Sequence, residues 1–373
     1  MGDEVRGRLV LADRVVGGRV VVEDGLIAGV DVDDDTAAPA SLPFITPGFV
    51  DVHVHGWGGH DAMGGAEALD GMARALLRRG VTSFLPTGYT QPWPAIVAFA
   101  DTARTWIPRA PADGAAPLGF NLEGPFVAPA RKGAHDPALL RTPAEIGLAA
   151  MESVLEGLRL ITVAPELAGA LELIAFLRDR GIPVSMGHSA ATLAEARAGY
   201  AAGGTSTTHL FNAMSGVDHH APGLAVAALT DDAAFVELIA DGHHVDVSLW
   251  PIITRTKPAE RLMLVSDAIP MAGTGEGRAR IGGLEVEVVD GRVTLAGTTT
   301  LAGSVIALDT AVRNLVASGV PLPAAAGAAA ANPLAMLGVT DRGRIAVGQR
   351  ADLVELSDDL QVRRVMRAGE WIG

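Results

Sequence analysis

Ten histidines and no cysteine occur in the 373 residues, and several of the histidines fall in a pattern that could do chemistry. His53 and His55 close the run 49–55, Glu123 closes 118–123, and His188 closes 182–188. His209 lies near the end of 205–212, and Asp267 closes 261–267. Each run is short and mostly apolar, and each turns polar at its end. Imidazole and carboxylate are good ligands for zinc and other divalent first-row metals. Such an ion polarises carbonyls and activates water, which is hydrolytic chemistry. Taken one at a time, each of these residues could simply cap a loop or pack. It is six of them at run ends that carries the reading. The absence of cysteine excludes disulfides, thiolate zinc sites and cysteine nucleophiles. No Gly-x-Ser-x-Gly is present, which argues against a serine hydrolase of that type.

Something must bring these run ends to one place. Apolar runs recur at 49–55, 81–87, 118–123, 158–165, 182–188, 205–212, 235–241 and 261–267, and helical patterns such as 66–79, 167–180 and 193–202 lie between them. Eight strand–helix alternations over roughly 250 residues predict an α/β fold, a (β/α)8 TIM-type barrel, whose C-terminal strand ends share one face and carry the active site. Alternate residues of a strand point the same way, so His53 and His55 can both face the axis. Short strand candidates at 8–11, 19–22 and 26–30 precede the barrel, and an acidic, Ala/Pro-rich loop at 31–43 ends that unit. After the eighth strand, 284–289 and 293–295 flank Asp290-Gly291 as a hairpin. Helical segments follow near 304–318 and 323–337, and the tail at 345–371 returns to strands. The expected organisation is a small β-sandwich domain built from both termini (1–46 and 341–373) and a barrel at 47–340 with a hairpin insertion near 280–300.

Composition narrows the function. Apolar residues make up 49% of the chain, enough for a large core. The formal net charge of −14 argues against a nucleic-acid partner and repels anionic substrates at long range, so a phosphate would need a local basic pocket. The opening Met1-Gly2-Asp3-Glu4 is charged and lacks an apolar signal core, and the Ala-rich run at 324–331 is too short to span a membrane. The expectation is a cytoplasmic protein with no membrane partner.

Longer motifs make the pattern specific. Thr46-Pro47-Gly48-Phe49-Val50-Asp51-Val52-His53-Val54-His55-Gly56 resembles the opening motif of the amidohydrolase superfamily. Asn121-Leu122-Glu123-Gly124-Pro125-Phe126, Lys132-Gly133-Ala134-His135, Gly187-His188-Ser189 and Thr208-His209-Leu210-Phe211-Asn212-Ala213-Met214 narrow it. Ala240-Asp241-Gly242-His243-His244-Val245-Asp246 and Val265-Ser266-Asp267-Ala268 do the same. Together they resemble the N-acetylglucosamine-6-phosphate deacetylases, in the right order over nearly the whole chain. The stretch from Gly343 to Val354 resembles the strand that closes the β-domain of amidohydrolases.

The resemblance implies roles. Glu123, His188 and His209 match the principal metal ligands, and His53 and His55 match the pair that holds a second ion in some members, so one or two divalent ions, zinc foremost, are expected per subunit. Asp267 matches the catalytic aspartate and also borders the metal site. His135 matches the contact to the acetyl carbonyl. Asn212, the backbone at Ala213, and His244 match contacts to the sugar phosphate, the last reaching over from a neighbouring subunit of a homodimer. At His220 the chain departs from the family, which carries a phosphate-binding arginine there. Histidine offers fewer donors, and its charge fades above a pKa of ~6.5. The expected partner is a small amino sugar.

Two other readings stay open on the sequence. One is an amidohydrolase acting on another amide or an unphosphorylated acetamido sugar. The other is a non-catalytic scaffold, against which the retained ligands and Asp267 argue. Ala164-Pro165-Glu166 places no lysine at the end of the fourth strand, against a dihydroorotase-like branch. Arg131, Lys132, His60 and His219 read as loop residues, and Trp57 either lines the pocket or packs.

Overall fold

The computed structural model describes residues 3–33 and 41–372. Residues 34–40, the heart of the expected acidic loop, lie outside them. Eight parallel strands form the centre: β1 (Phe49–Val54), β2 (Val81–Tyr89), β3 (Phe120–Glu123), β4 (Leu158–Val163), β5 (Val184–Met186), β6 (Ser206–Thr207), β7 (Phe235–Leu238) and β8 (Leu262–Leu264). They pair in sequence order from β1 to β8. The ring is drawn together at its C-terminal end, where the Asp267 N–H donates to the His53 carbonyl at 2.9 Å and the His55 N–H to the Ala268 carbonyl at 2.8 Å. All six residues of β1 are buried. The strands read as continuous apolar runs because helices cover one face and the filled interior covers the other.

Helix periodicity explains the outer layer. In Ala66–Leu77 the buried residues are Leu69, Met72, Ala73, Leu76 and Leu77, one stripe at three- and four-residue spacing. Glu67 in its first turn and Arg74 in its last complement the helix dipole. The end of the barrel away from the site is plugged by Ala331–Met336. Asn332 there donates to the carbonyls of Ala259 and Leu262 at the start of β8, and Leu334 and Met336 join Val50, Val52, Leu85, Leu160 and Met263 in one cluster.

Both ends of the chain meet in a separate sheet. Phe44–Pro47 pairs parallel with Asp3–Val10 on one side and antiparallel with Leu353–Leu356 on the other, so the hydrogen bonds join seven strands in one continuous sheet. Val5, Leu9, Val20, Ile27, Ile45, Leu353 and Met366 form its core. The insertion after β8 has three strands, Gly277–Ile281, Leu284–Val289 and Arg292–Leu295. The first was hidden in the sequence because Gly-Arg-Ala-Arg-Ile is half exposed and carries two charges. Val286, Val288 and Val293 pack on Ile269 and Met271, which holds this sheet over the mouth of the barrel. Among the described residues, no helix is long and apolar enough to cross a membrane.

Candidate active site

The strands are shorter than their apolar runs. β5 stops at Met186, two residues before His188; β6 stops at Thr207, two before His209; β8 stops at Leu264, three before Asp267. The reason is in the backbone. His188, His209 and Asp267 have φ of 46°, 27° and 49°, in the left-handed region. That conformation costs a non-glycine residue about 1–2 kcal/mol, and strain of this kind collects at functional sites. The chain leaves the ladder at these points and swings three side chains over the barrel axis. Asp267 is pinned on both sides: its N–H donates to His53, and its carbonyl accepts from Ser304 at 2.8 Å. Gly303 makes the second contact feasible. It has φ of 71°, and a Cβ there would sit 2.8 Å from the Asp267 carbonyl oxygen.

The six residues expected at the mouth converge, and His135 joins them. Glu123 is the hub. Its Oε1 lies 3.0 Å from His188 Nε2, 2.9 Å from His209 Nε2 and 3.5 Å from His53 Nε2. Its Oε2 lies 3.1 Å from His55 Nε2 and 3.6 Å from His135 Nε2. Asp267 Oδ1 is 3.2 Å from His55 Nε2 and 3.6 Å from His53 Nε2. All seven side chains are buried. The outer ring nitrogens are mostly anchored to acceptors: His55 Nδ1 to the Thr87 carbonyl at 3.0 Å, His188 Nδ1 to the Arg131 carbonyl at 2.9 Å, and His53 Nδ1 to Glu237 Oε2 at 3.0 Å. With Nδ1 anchored outward, these rings turn Nε2 toward the centre.

The electrostatics favour positive charge at the centre. Burial opposes protonation of His53, yet Glu123, Asp267 and Glu237 together hold its pKa well above the ordinary value. Burial likewise opposes it in His55, but bonds to Asp267 and Glu123 push that pKa up to about 9. Burial would raise Asp267, but His53 and the bond from His55 outweigh it and hold the carboxyl below its usual range. His135 goes the other way: burial, then the neighbouring His188, push it down to about 3, so its ring is neutral. A divalent ion fits this donor set. His53, His55, Glu123 and Asp267 can each offer an atom within 4.8 Å of the others, as can Glu123, His135 and His188. Among the described residues, the buried His53 Nε2 has no hydrogen-bond partner, and the Nε2 atoms of His188 and His209 face each other at 3.1 Å. A shared cation would satisfy all of these inward-facing atoms at once.

A cleft of ≈ 610 Å³ opens from this cluster, a size suited to a small ligand. Asn212, Ala213 and His244 line it, and so do Arg131, Lys132 and Arg292. His244 lies in the cleft of its own chain, its Nδ1 held by Asp241 Oδ2 at 2.7 Å. His220 is not among the lining residues. It is exposed, with its ring 3.9 Å from that of His219. Trp57 packs in the core beneath Arg79, outside the cleft lining. Sequence reading missed Glu237, although a carboxylate inside the apolar run 235–241 was a usable signal. It also missed Arg292, whose exposed position beside a turn gives none.

An α/β barrel with a carboxylate–histidine cluster at its C-terminal mouth and a terminal β-sheet alongside defines a metal-dependent hydrolase of one superfamily. The amidohydrolase family signature matches residues 44–372, and the chain belongs to that family. It is 37% identical to N-acetylgalactosamine-6-phosphate deacetylase of Escherichia coli O157:H7, over 94% of this chain and 93% of that protein. It is also 37% identical to the human N-acetylglucosamine-6-phosphate deacetylase, over 98% of this chain and 92% of the relative. Its structure is similar to that of the N-acetylglucosamine-6-phosphate deacetylase of Thermotoga maritima, with a TM-score of 0.92, 33% identity, and 100% and 99% of the two chains covered. A mutant of the Mycobacterium smegmatis enzyme in complex with N-acetyl-D-glucosamine-6-phosphate matches with a TM-score of 0.91, 35% identity, and 100% and 99% covered.

Proposed function

We propose that this chain is a metal-dependent deacetylase that hydrolyses the acetamide of N-acetylglucosamine 6-phosphate, giving glucosamine 6-phosphate and acetate. The observation that carries this reading is the buried Glu123–Asp267–histidine cluster at the floor of a cleft that also presents cationic side chains. Glu123, His188 and His209 would hold the principal ion, and His53 and His55, bordered by Asp267, a second. Zinc suits this set of imidazoles and carboxylates. Such an ion supplies Lewis-acid polarisation of the amide carbonyl and lowers the pKa of water toward ~7.

The chain's own residues do the rest. Asp267, ionised and within reach of the centre, takes a proton from the attacking water and returns it to the sugar nitrogen as the C–N bond breaks. His135, neutral and bonded through Nδ1 to the Thr90 hydroxyl at 2.7 Å, donates from Nε2 to the acetyl oxygen as charge develops there. Asn212, the Ala213 backbone and His244 face the sugar and its phosphate. The family resemblance supports a cytoplasmic homodimer as the setting. The test is acetate release from a panel of acetamido sugars, with and without the 6-phosphate. The panel should include the galacto epimer, because the E. coli relative is named for it; the two sugars differ only at the C4 hydroxyl.

The phosphate has a specific expectation in this chain. His220 lies outside the cleft lining, whereas Arg292 lies within it, one residue past Gly291, where an added Cβ would lie 4.0 Å from His243 Nε2. Gly291, next to Arg292, therefore stands beside His243, and Arg292 and His244 line the same cleft. A hydrogen bond to a charged group contributes about 1.5–3 kcal/mol. Arg292→Ala is expected to lower kcat/KM on the 6-phosphate by roughly 10–100-fold, on that scale, and to leave the unphosphorylated sugar nearly unchanged. Equal losses on both sugars, or equal efficiency on both in the parent, would show that the cleft does not read the phosphate through this arginine.

A further inference from the structure

Glu237 lies within β7, a strand otherwise made of Phe235, Val236 and Leu238, and it has no solvent exposure. Burying a carboxylate is costly unless it is paired. Among the described residues, its one ion-pair partner is His53. Its Oε2 lies 3.0 Å from His53 Nδ1 and accepts from the His209 N–H at 3.1 Å, while Oε1 has no hydrogen-bond partner. One oxygen therefore ties the histidine of β1 to the histidine after β6.

The consequence is a fixed tautomer. A carboxylate beside Nδ1 keeps a ring proton there and leaves Nε2 as the atom turned toward the centre. That atom faces Glu123 Oε1 at 3.5 Å and Asp267 Oδ1 at 3.6 Å and makes no hydrogen bond. With Nε2 as a lone pair, as a ligating imidazole must be, three acceptors turn toward one point and repel one another unless a cation stands between them. His55 and His188 are anchored to neutral carbonyls instead, those of Thr87 and Arg131. Of the three, only His53 carries a carboxylate behind it, an arrangement that orients a ligating imidazole and raises its basicity.

We propose that Glu237 is a positioning residue that holds the His53 ring in the orientation and tautomer through which it would bind the second ion of the proposed metal site. The inference rests on the reading of the cluster as a metal site. Zinc content of the purified protein and chelator competition are read for the parent, Glu237→Gln, His53→Asn and the double variant. The parent should hold two ions. Glu237→Gln should weaken one of them by about 10–100-fold, the usual effect of losing such an outer partner, and leave the other unchanged. Adding Glu237→Gln to His53→Asn should cost nothing further, because the residue acts through His53. Nitrogen-15 NMR of the zinc-loaded parent gives a readout independent of how the variant folds: His53, assigned through its loss in His53→Asn, should carry its proton on Nδ1. A parent with a single ion, a Glu237→Gln protein that keeps both ions as tightly, a further loss in the double variant, or a proton on Nε2 overturns the proposal. A parent that binds no metal removes the metal reading itself, and this inference with it.

Discussion

Asp267→Asn is expected to fold, keep its principal metal ion and lose turnover by at least ~10²–10⁴, the contribution of a positioned general base. Asparagine reproduces the shape of the side chain and can still face His55 Nε2, which lies 3.2 Å from Oδ1 in the parent. It cannot take a proton from water or return one to the leaving nitrogen. The backbone that aims the side chain does not depend on the carboxylate, because the bonds to the His53 carbonyl and from Ser304 are main-chain. Asp267 makes its contacts on the His53–His55 side of the cluster, away from His188 and His209, so the principal ion should stay. Acetate release, metal content and melting temperature together decide the matter. A variant within tenfold of the parent in kcat would assign the general base elsewhere.

Glu123→Gln should be still more damaging, and for a different reason. Glu123 is within 3.6 Å of five imidazoles. Burial works against its charge, but His53, His188 and His209 hold the carboxyl well below the usual range. An amide of the same shape removes the charge at the hub and points an N–H donor into the site. Metal affinity should fall by more than the ~10–100-fold that follows loss of an outer partner, and activity should fall with it. Normal metal content in Glu123→Gln, His188→Gln and His209→Gln alike would refute the ligand assignment. The parent itself should show a pH signature. Ligands bind metal in their deprotonated form, and His55 is held protonated up to about pH 9. Metal uptake at neutral pH should therefore release protons, and apparent affinity should rise with pH up to about 9. Calorimetry in buffers of different ionisation enthalpy measures this release; pH-independent uptake would contradict it.

The barrel was legible in the sequence because it is written in local patterns. Each strand is a short apolar run, and each helix such as Ala66–Leu77 carries a stripe at helical spacing. Once the strands are parallel and closed into a ring, all their C-terminal ends lie on one face. Polar residues at those ends then have to converge, and His53, His55, Glu123, His188, His209 and Asp267 do. The terminal sheet was legible for the same reason, although its continuity through Phe44–Pro47 was not, since strand pairing order is not a local property.

What tertiary structure alone decided is where side chains far apart in sequence touch. Glu237 meets His53 across 184 positions, and nothing near either residue encodes that contact. The left-handed turns at His188, His209 and Asp267 shortened the strands below their apolar runs, because barrel closure and the bonds around Asp267 impose a backbone that residue type does not favour. His220, aligned by sequence with a phosphate-binding arginine, turned outward on an exposed loop, while Arg292 came into the cleft on the sheet folded over the mouth. Sequence fixes which chemical groups a chain carries and how each strand and helix is patterned. Which of those groups share a cavity depends on how the strands and insertions pack, and that is set by contacts distributed over the whole fold.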